Sequence, residues 1–184
     1  MWRIVVFASL LSIAPALAQS ITVFGNSDAQ QCYMYTKLPG GLGGLQYCNR
    51  ALNVGSLSDR DRAATLVNRG ILYNHTRQLS QAEADFVEAL KLDSDLAEAY
   101  VNWGNTKIFL EDFVTAKDYY SKAIELGTKD LHAAYYNRGL ANEALSDLNA
   151  AFKDFVDAER VKPEWKMAME RIERYEANGF KRVN

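Results

Sequence analysis

The chain has 184 residues, 48% hydrophobic and 24% charged, with a formal net charge of −2. That is enough apolar material for a continuous core, and the near balance of charge leaves no basic excess to neutralise phosphates, which argues against nucleic acid as a partner. Two cysteines and two histidines give little material for a metal centre or for Cys/His catalysis.

At the start, Arg3 is a short positive region, residues 4–14 are an apolar run that Pro15 breaks, and Ala16-Leu17-Ala18 has the small-x-small form of a cleavage site. Residues 1–18 therefore read as a secretory signal peptide. The run is shorter than the roughly 20 apolar residues a membrane span needs. Gln19 follows the site where a lipid-modified chain would carry Cys. The expectation is an exported protein, periplasmic or secreted, with no stable membrane insertion.

Residues 19–61 read as a divergent helical pair and linker. A helix over 27–35 carries Cys32, the run Pro39-Gly40-Gly41-Leu42-Gly43-Gly44 turns the chain, and a helix over 45–52 carries Cys48. An exported chain meets an oxidising compartment, so a Cys32–Cys48 disulfide is expected, the alternative being two buried thiols. The glycine run lacks the Gly-Lys-Ser/Thr ending and the preceding strand of a phosphate loop. Residues 56–62 are a polar linker.

The next hundred residues repeat. Asn68-Arg69-Gly70, Asn102-Trp103-Gly104 and Asn137-Arg138-Gly139 place their glycines 34 and then 35 residues apart. Ala82, Ala116 and Ala151 each follow their glycine by 12 residues; Phe86, Tyr120 and Phe155 come four later, then Ala89, Ala123 and Ala158 three beyond. A period of this size marks a stacked-repeat architecture.

In the first repeat, Leu66, Gly70 and Tyr73 share one face of a helix over 61–75, and Ser80-Gln81-Ala82-Glu83 reads as a capping box opening a second helix. The second repeat has Asp95 with Glu98 as a capping pair, then Tyr100, Gly104 and Ile108, then Phe113, Ala116, Tyr120 and Ala123, with Gly127 as its stop. The third has Tyr135, Gly139 and Leu140, then Leu148, Ala151, Phe155 and Ala158, ending at Pro163. A glycine inside a helix costs about 1 kcal/mol against alanine, so its recurrence needs a packing reason. Close approach of the paired helix, with the aromatic filling the space beside it, supplies one. Residues 164–178 read as a single capping helix, with Trp165, Met169, Ile172 and Tyr175 on one side and a charged face carrying a Glu170–Arg174 pair on the other.

These residues resemble the tetratricopeptide repeat family in three units, about 63–96, 97–131 and 132–163, within 62–162, followed by the capping helix and tail over 163–184. Leu66, Tyr100 and Tyr135, the three glycines, the six alanines and the three aromatics fall at the family's signature places. Lys107 and Asn142 depart from it where Tyr73 agrees, and of the prolines that often close a repeat only Pro163 is present. The resemblance implies an all-α, right-handed α-solenoid of antiparallel helix pairs. Its first helices would line a concave groove with Val67, Asn68, Ile71, Val101, Asn102, Asn105, Tyr136, Asn137 and Leu140. Asn68, Asn102 and Asn137 would form a ladder whose amides suit the backbone of an extended peptide; the alternative is that they bond within the superhelix. The basic clamp with which some members hold a C-terminal carboxylate is missing, since Val67, Ile71, Ala133 and Asn137 stand in its places.

No nucleophile stands beside a base. His75 is expected at a helix end near solvent, His132 exposed at a helix start, and Asp154 and Asp157 on a solvated face. The chain is read as a non-enzyme without metal or cofactor. Its expected role is an exported adaptor or scaffold for protein or peptide segments of the cell envelope. The alternative is a structural or self-associating envelope module, so a homo-oligomer is allowed for.

Overall fold

The computed structural model describes residues 20–23, 27–41, 43–54 and 57–182, and the expected signal peptide lies outside them. The described residues form nine α-helices, one 3-10 turn and no strand: α1 (Ser27–Tyr35), α2 (Gly44–Asn53), α3 (Asp59–His75), α4 (Leu79–Leu92), α5 (Ala97–Phe109), α6 (Phe113–Glu125), α7 (Leu131–Ala144), α8 (Leu148–Val161) and α9 (Lys166–Ala177). Each helix packs on its chain neighbour, and α1, α3, α5 and α7 also meet in succession along one side. That contact order is an α-solenoid of helix pairs, in which each unit leans only on those beside it.

The repeating glycines have the reason expected of them. A Cβ on Gly70 would lie 2.5 Å from the Phe86 ring, on Gly104 2.6 Å from Tyr120, and on Gly139 2.7 Å from Phe155. The ring of each second helix thus occupies the space a side chain on the first would take. Phe86, Tyr120 and Phe155 are all fully buried, as are Ala82, Ala116 and Ala151 beside them.

The first pair obeys the same rule by other chemistry. Cys32 and Cys48 are joined by a disulfide across a sequence separation of 16, with 4.8 Å between their Cα atoms. Gly70 and Phe86 are also 16 apart, as are Gly104 and Tyr120, and Gly139 and Phe155. Cys32 therefore stands where the later repeats have glycine, and Cys48 where they have the ring, so a covalent bond replaces a ring contact. Gly44 takes the place of the following alanine, and a Cβ there would fall 2.5 Å from the Tyr35 Cβ.

Helix starts differ from the expected caps. α4 opens at Leu79 with Gln78 before it and no side-chain cap. Ser80 is inside its first turn. Glu83 is drawn instead to the second repeat, accepting from Trp103 Nε1 at 3.0 Å and pairing with Lys107 Nζ at 2.7 Å. α5 opens at Ala97 after Leu96, likewise without a side-chain cap, and Asp95 donates its N–H to Asp93 Oδ1. The caps the fold does use are Ser58 for Asp61 N–H, Asp112 for Thr115 N–H and Asp147 for Ala150 N–H. The turns inside the three repeats share one backbone device, a left-handed residue at the same place: Arg77, Glu111 and Ser146, with φ of 60°, 58° and 63°.

α9 covers the end of the stack with Ala168, Ile172 and Tyr175, which join Tyr136, Leu140, Phe152 and Phe155 in one cluster. Met169 is on the outside, contrary to expectation; Ala168, one residue earlier, is the one that is buried. Glu170 pairs with Lys166 at 3.7 Å, and Arg171 reaches back to Glu143 on α7 at 2.6 Å.

Candidate functional site

The inner helices α3, α5 and α7 carry the three asparagines at equivalent places. Asn68 meets the backbone of residue 21: the Ile21 N–H donates to Asn68 Oδ1 at 2.9 Å, and Asn68 Nδ2 donates to the Ile21 carbonyl at 2.7 Å. One side-chain amide thus takes both polar groups of one backbone residue, as a neighbouring strand does in a hydrogen-bonded pair. The short segment 20–23 is held on either side of that pairing. Val23 is buried against Ala29, Ala51 and Ala64, Ile21 packs on the same cluster and on that of Leu66 and Val67, and Thr22 between them is exposed.

The other two asparagines bond differently. Asn102 Nδ2 donates to the Glu98 carbonyl of its own helix at 2.8 Å, and the Asn102 carbonyl accepts from Thr106 Oγ1 and Asn74 Nδ2. Asn137 Nδ2 donates to Asn105 Oδ1 at 3.1 Å, the same oxygen that accepts from the Tyr120 hydroxyl at 2.8 Å. Burial pushes the Tyr120 hydroxyl well above its ordinary pKa, so it stays a donor to Asn105.

All nine residues expected to line an open groove are buried. The reasons differ along the stack. Val67 and Ile71 are packed with Leu52, Ala63 and Phe86, beside Ile21 and Leu57. Val101 is packed with Tyr120, Ala134 and Ala141, and Asn105 is occupied by Tyr120 and Asn137. Tyr136 and Leu140 are covered by α9. Of the expected ladder, Asn68 pairs with an extended backbone, and that backbone is the chain's own.

Other expectations are corrected. His132 is buried, edge-on to the Trp165 ring at 4.7 Å. Asp154 and Asp157 are buried rather than solvated. Asp154 receives Arg138 through two nitrogens at 3.0 and 2.7 Å and Asn142 Nδ2 at 2.9 Å; Asp157 pairs with Lys153 and Arg160. Arg69 holds Asp85 in the same two-pronged way two repeats earlier. Burial pushes both carboxyls upward against the pull of their arginines. In the middle repeat a Trp103–Tyr119 stack at 4.4 Å stands in the equivalent place. These pairs are also 16 residues apart, so their signal lay in the spacing already used for the glycines. His75 closes α3 and is exposed. Among the described residues, no group of three or more His, Cys, Asp or Glu is placed to hold a metal ion, and no helix is long and apolar enough to cross a membrane.

The tetratricopeptide repeat family model matches residues 63–96 and 97–126. Human tetratricopeptide repeat protein 6 is 27% identical over 101 residues, 55% of this chain and 18% of that protein. The lipoprotein NlpI homolog of Haemophilus influenzae is 29% identical over 108 residues, 59% of this chain and 34% of that protein. The similarity thus spans about a fifth and a third of the length of these curated relatives. Among solved structures, the first TPR of Spaghetti (RPAP3) bound to the HSP90 peptide SRMEEVD superposes with a TM-score of 0.61 at 22% identity, covering 67% of this chain and 98% of that one. That likeness concerns the fold. The third unit, 132–163, lies beyond the matched residues and carries the same glycine–aromatic contact.

Proposed function

From a chain that belongs to the tetratricopeptide repeat family and has its fold, we propose an exported adaptor or scaffold that binds extended segments of other proteins along its inner helix face. The observation that carries this reading is the Asn68 amide, which already grips the N–H and C=O of one extended residue. An amide presented this way reads backbone and not sequence, so it suits segments of varied composition. A related fold binds a peptide in the RPAP3 complex, which supports the binding role without assigning a ligand. The ligand class differs from an acidic chain terminus, because Val67, Ile71, Ala133 and Asn137 leave no basic clamp. The role is one of binding, without catalysis, metal or cofactor.

Export rests on the leader pattern of residues 1–18 and on the disulfide, which belongs in an oxidising compartment. The similarity to an NlpI lipoprotein homolog is in keeping with partners in a bacterial envelope. A second reading, a self-associating envelope module, is favoured by the exposed Leu110, Val114, Leu145 and Leu148 around the turns of the second and third repeats. Concentration-dependent light scattering decides it: a strict monomer at high concentration removes that reading.

The groove reading is tested by adding a library of overlapping unlabelled decapeptides drawn from envelope proteins and following the side-chain amide NMR signals of Asn68, Asn102 and Asn137. Binding peptides should shift at least the Asn68 pair. Peptides that bind while leaving the inner helices unperturbed would place the site elsewhere.

A further inference from the structure

We infer that residues 20–23 are a built-in ligand of the first-repeat site, that they leave it reversibly, and that they display the chemistry of the external segments the site accepts. This rests on the reading of the inner face as a peptide site. The segment shows what a ligand there has to offer. Its backbone N–H and C=O at residue 21 are both used by Asn68. Its two β-branched side chains, Ile21 and Val23, alternate with exposed Thr22, so the inward positions are i and i+2, the spacing of an extended chain. The pocket for Val23 is lined by Ala29, Ala51 and Ala64, small residues that leave room for a branched aliphatic and offer no charge to pair. The accepted class is therefore an uncharged extended segment with β-branched aliphatics two residues apart, held by its middle.

Two features make the segment displaceable. It is tied by the two hydrogen bonds of a single side chain, by Val23 in a small cluster, and by Ile21, which is only partly buried where it packs on the Leu66 and Val67 cluster. Ser20 Oγ, next to the paired residue, is buried with no hydrogen-bond partner among the described residues. A buried hydroxyl without a partner opposes the docked state, and a permanent element of a fold rarely carries one. A competing segment with an apolar or backbone-satisfied group in that place would remove the penalty.

The consequence is a gate. While the segment is docked the first-repeat site is closed, and the apparent affinity for an external peptide falls by the fraction of time the site is open; docking for nine-tenths of the time weakens it about ten-fold. Ile21→Pro removes the N–H that Asn68 accepts and the aliphatic side chain that packs on Leu66 and Val67, and leaves the carbonyl, so it loosens the segment while every residue of α3 stays as it is.

The test uses the full chain and a dye-labelled synthetic peptide of the sequence of residues 19–26, read by fluorescence anisotropy. The I21P chain should bind this peptide about ten-fold or more tightly than wild type, and adding Asn68→Ala should abolish the gain. Equal affinity of wild type and I21P overturns the gate. If I21P binds library decapeptides but not this peptide, the ligand class is wrong while the peptide-site reading stands. If I21P, with unchanged circular dichroism, binds no peptide of any sequence, the peptide-site reading itself fails. Amide exchange of wild type gives a check free of mutation: the Ile21 N–H should exchange faster than the core amides of α3, and equal protection makes the segment a fixed part of the fold and sinks the proposal.

Discussion

At the residue scale, the glycine–aromatic contact carries the packing of each repeat, and its cost can be measured. Gly104→Ala gains about 1 kcal/mol of helix propensity. It also drives a methyl to 2.6 Å from the Tyr120 ring. Overpacking of a tight core costs about 1–3 kcal/mol, and Tyr120 cannot swing aside without breaking its hydroxyl bond to Asn105. Overpacking should win, so urea unfolding should show a net loss of up to about 2 kcal/mol; a variant more stable than wild type would mean that the ring relaxes freely. His132 gives a second prediction. Burial lowers its pKa below the ordinary 6.5, the nearby Lys162 lowers it further, and Asp130 opposes them. Below pH 6.5 the unfolded chain takes up the proton that the folded chain resists, so this contribution to stability is intact above about pH 7 and is lost as the pH falls from the unfolded value to the lower folded one. The melting temperature should drop between pH 7.5 and 5.5 by more in wild type than in His132→Gln. An NMR titration placing His132 above 6.5 would reverse the sign and sink the prediction.

At the element scale, the disulfide is the substitute for a ring in the α1–α2 pair, and the remaining pairs do not depend on it. Closing a loop of this size is worth about 3 kcal/mol in the chain-entropy picture. Reduction, or Cys32→Ser with Cys48→Ser, should therefore open α1 and α2 and leave α3 to α8 folded. The expected signature is loss of amide protection confined to 27–53; a single cooperative loss across the chain would refute an independent first pair. This element also shows what the sequence made legible. The period and the glycine–aromatic contacts could be read from spacing because each is a local, repeated rule. That Cys32 occupies the glycine place, and that Arg69–Asp85 and Arg138–Asp154 bridge the paired helices, follow the same 16-residue spacing. The caps at Ser80 and Asp95 failed because a capping motif is a local preference that a tertiary partner overrides: Glu83 is spent on Trp103 and Lys107. The facing of Asn68 was not legible at all. Its partner, Ile21, lies 47 residues away in a segment outside the repeat pattern, and no periodicity reports on it.

At the scale of the whole molecule, the stack has two ends, and each is closed differently: α1 and α2 by a covalent bond, α8 by the single helix α9. In a solenoid each unit is stabilised by its neighbours alone, so the ends should open before the middle. α9 lays Ala168, Ile172 and Tyr175 over Tyr136, Leu140 and Phe155. Ile172 is fully buried there, and placing a charge at that point leaves it unpaired among apolar and aromatic groups. Ile172→Asp should release α9, and the exposed cluster should then lower the protection of α7 and α8 more than that of α5 and α6. The groove expected from the family pattern would at the same time gain an open end, because Tyr136 and Leu140 are two of its nine residues and α9 is what covers them. The same variant should therefore increase dye binding to exposed apolar surface while the Ile21–Asn68 pairing at the far end stays intact by NMR. Uniform loss of protection from α3 to α9 would mean that the repeats unfold as one unit, and the end-wise account of this chain would fall.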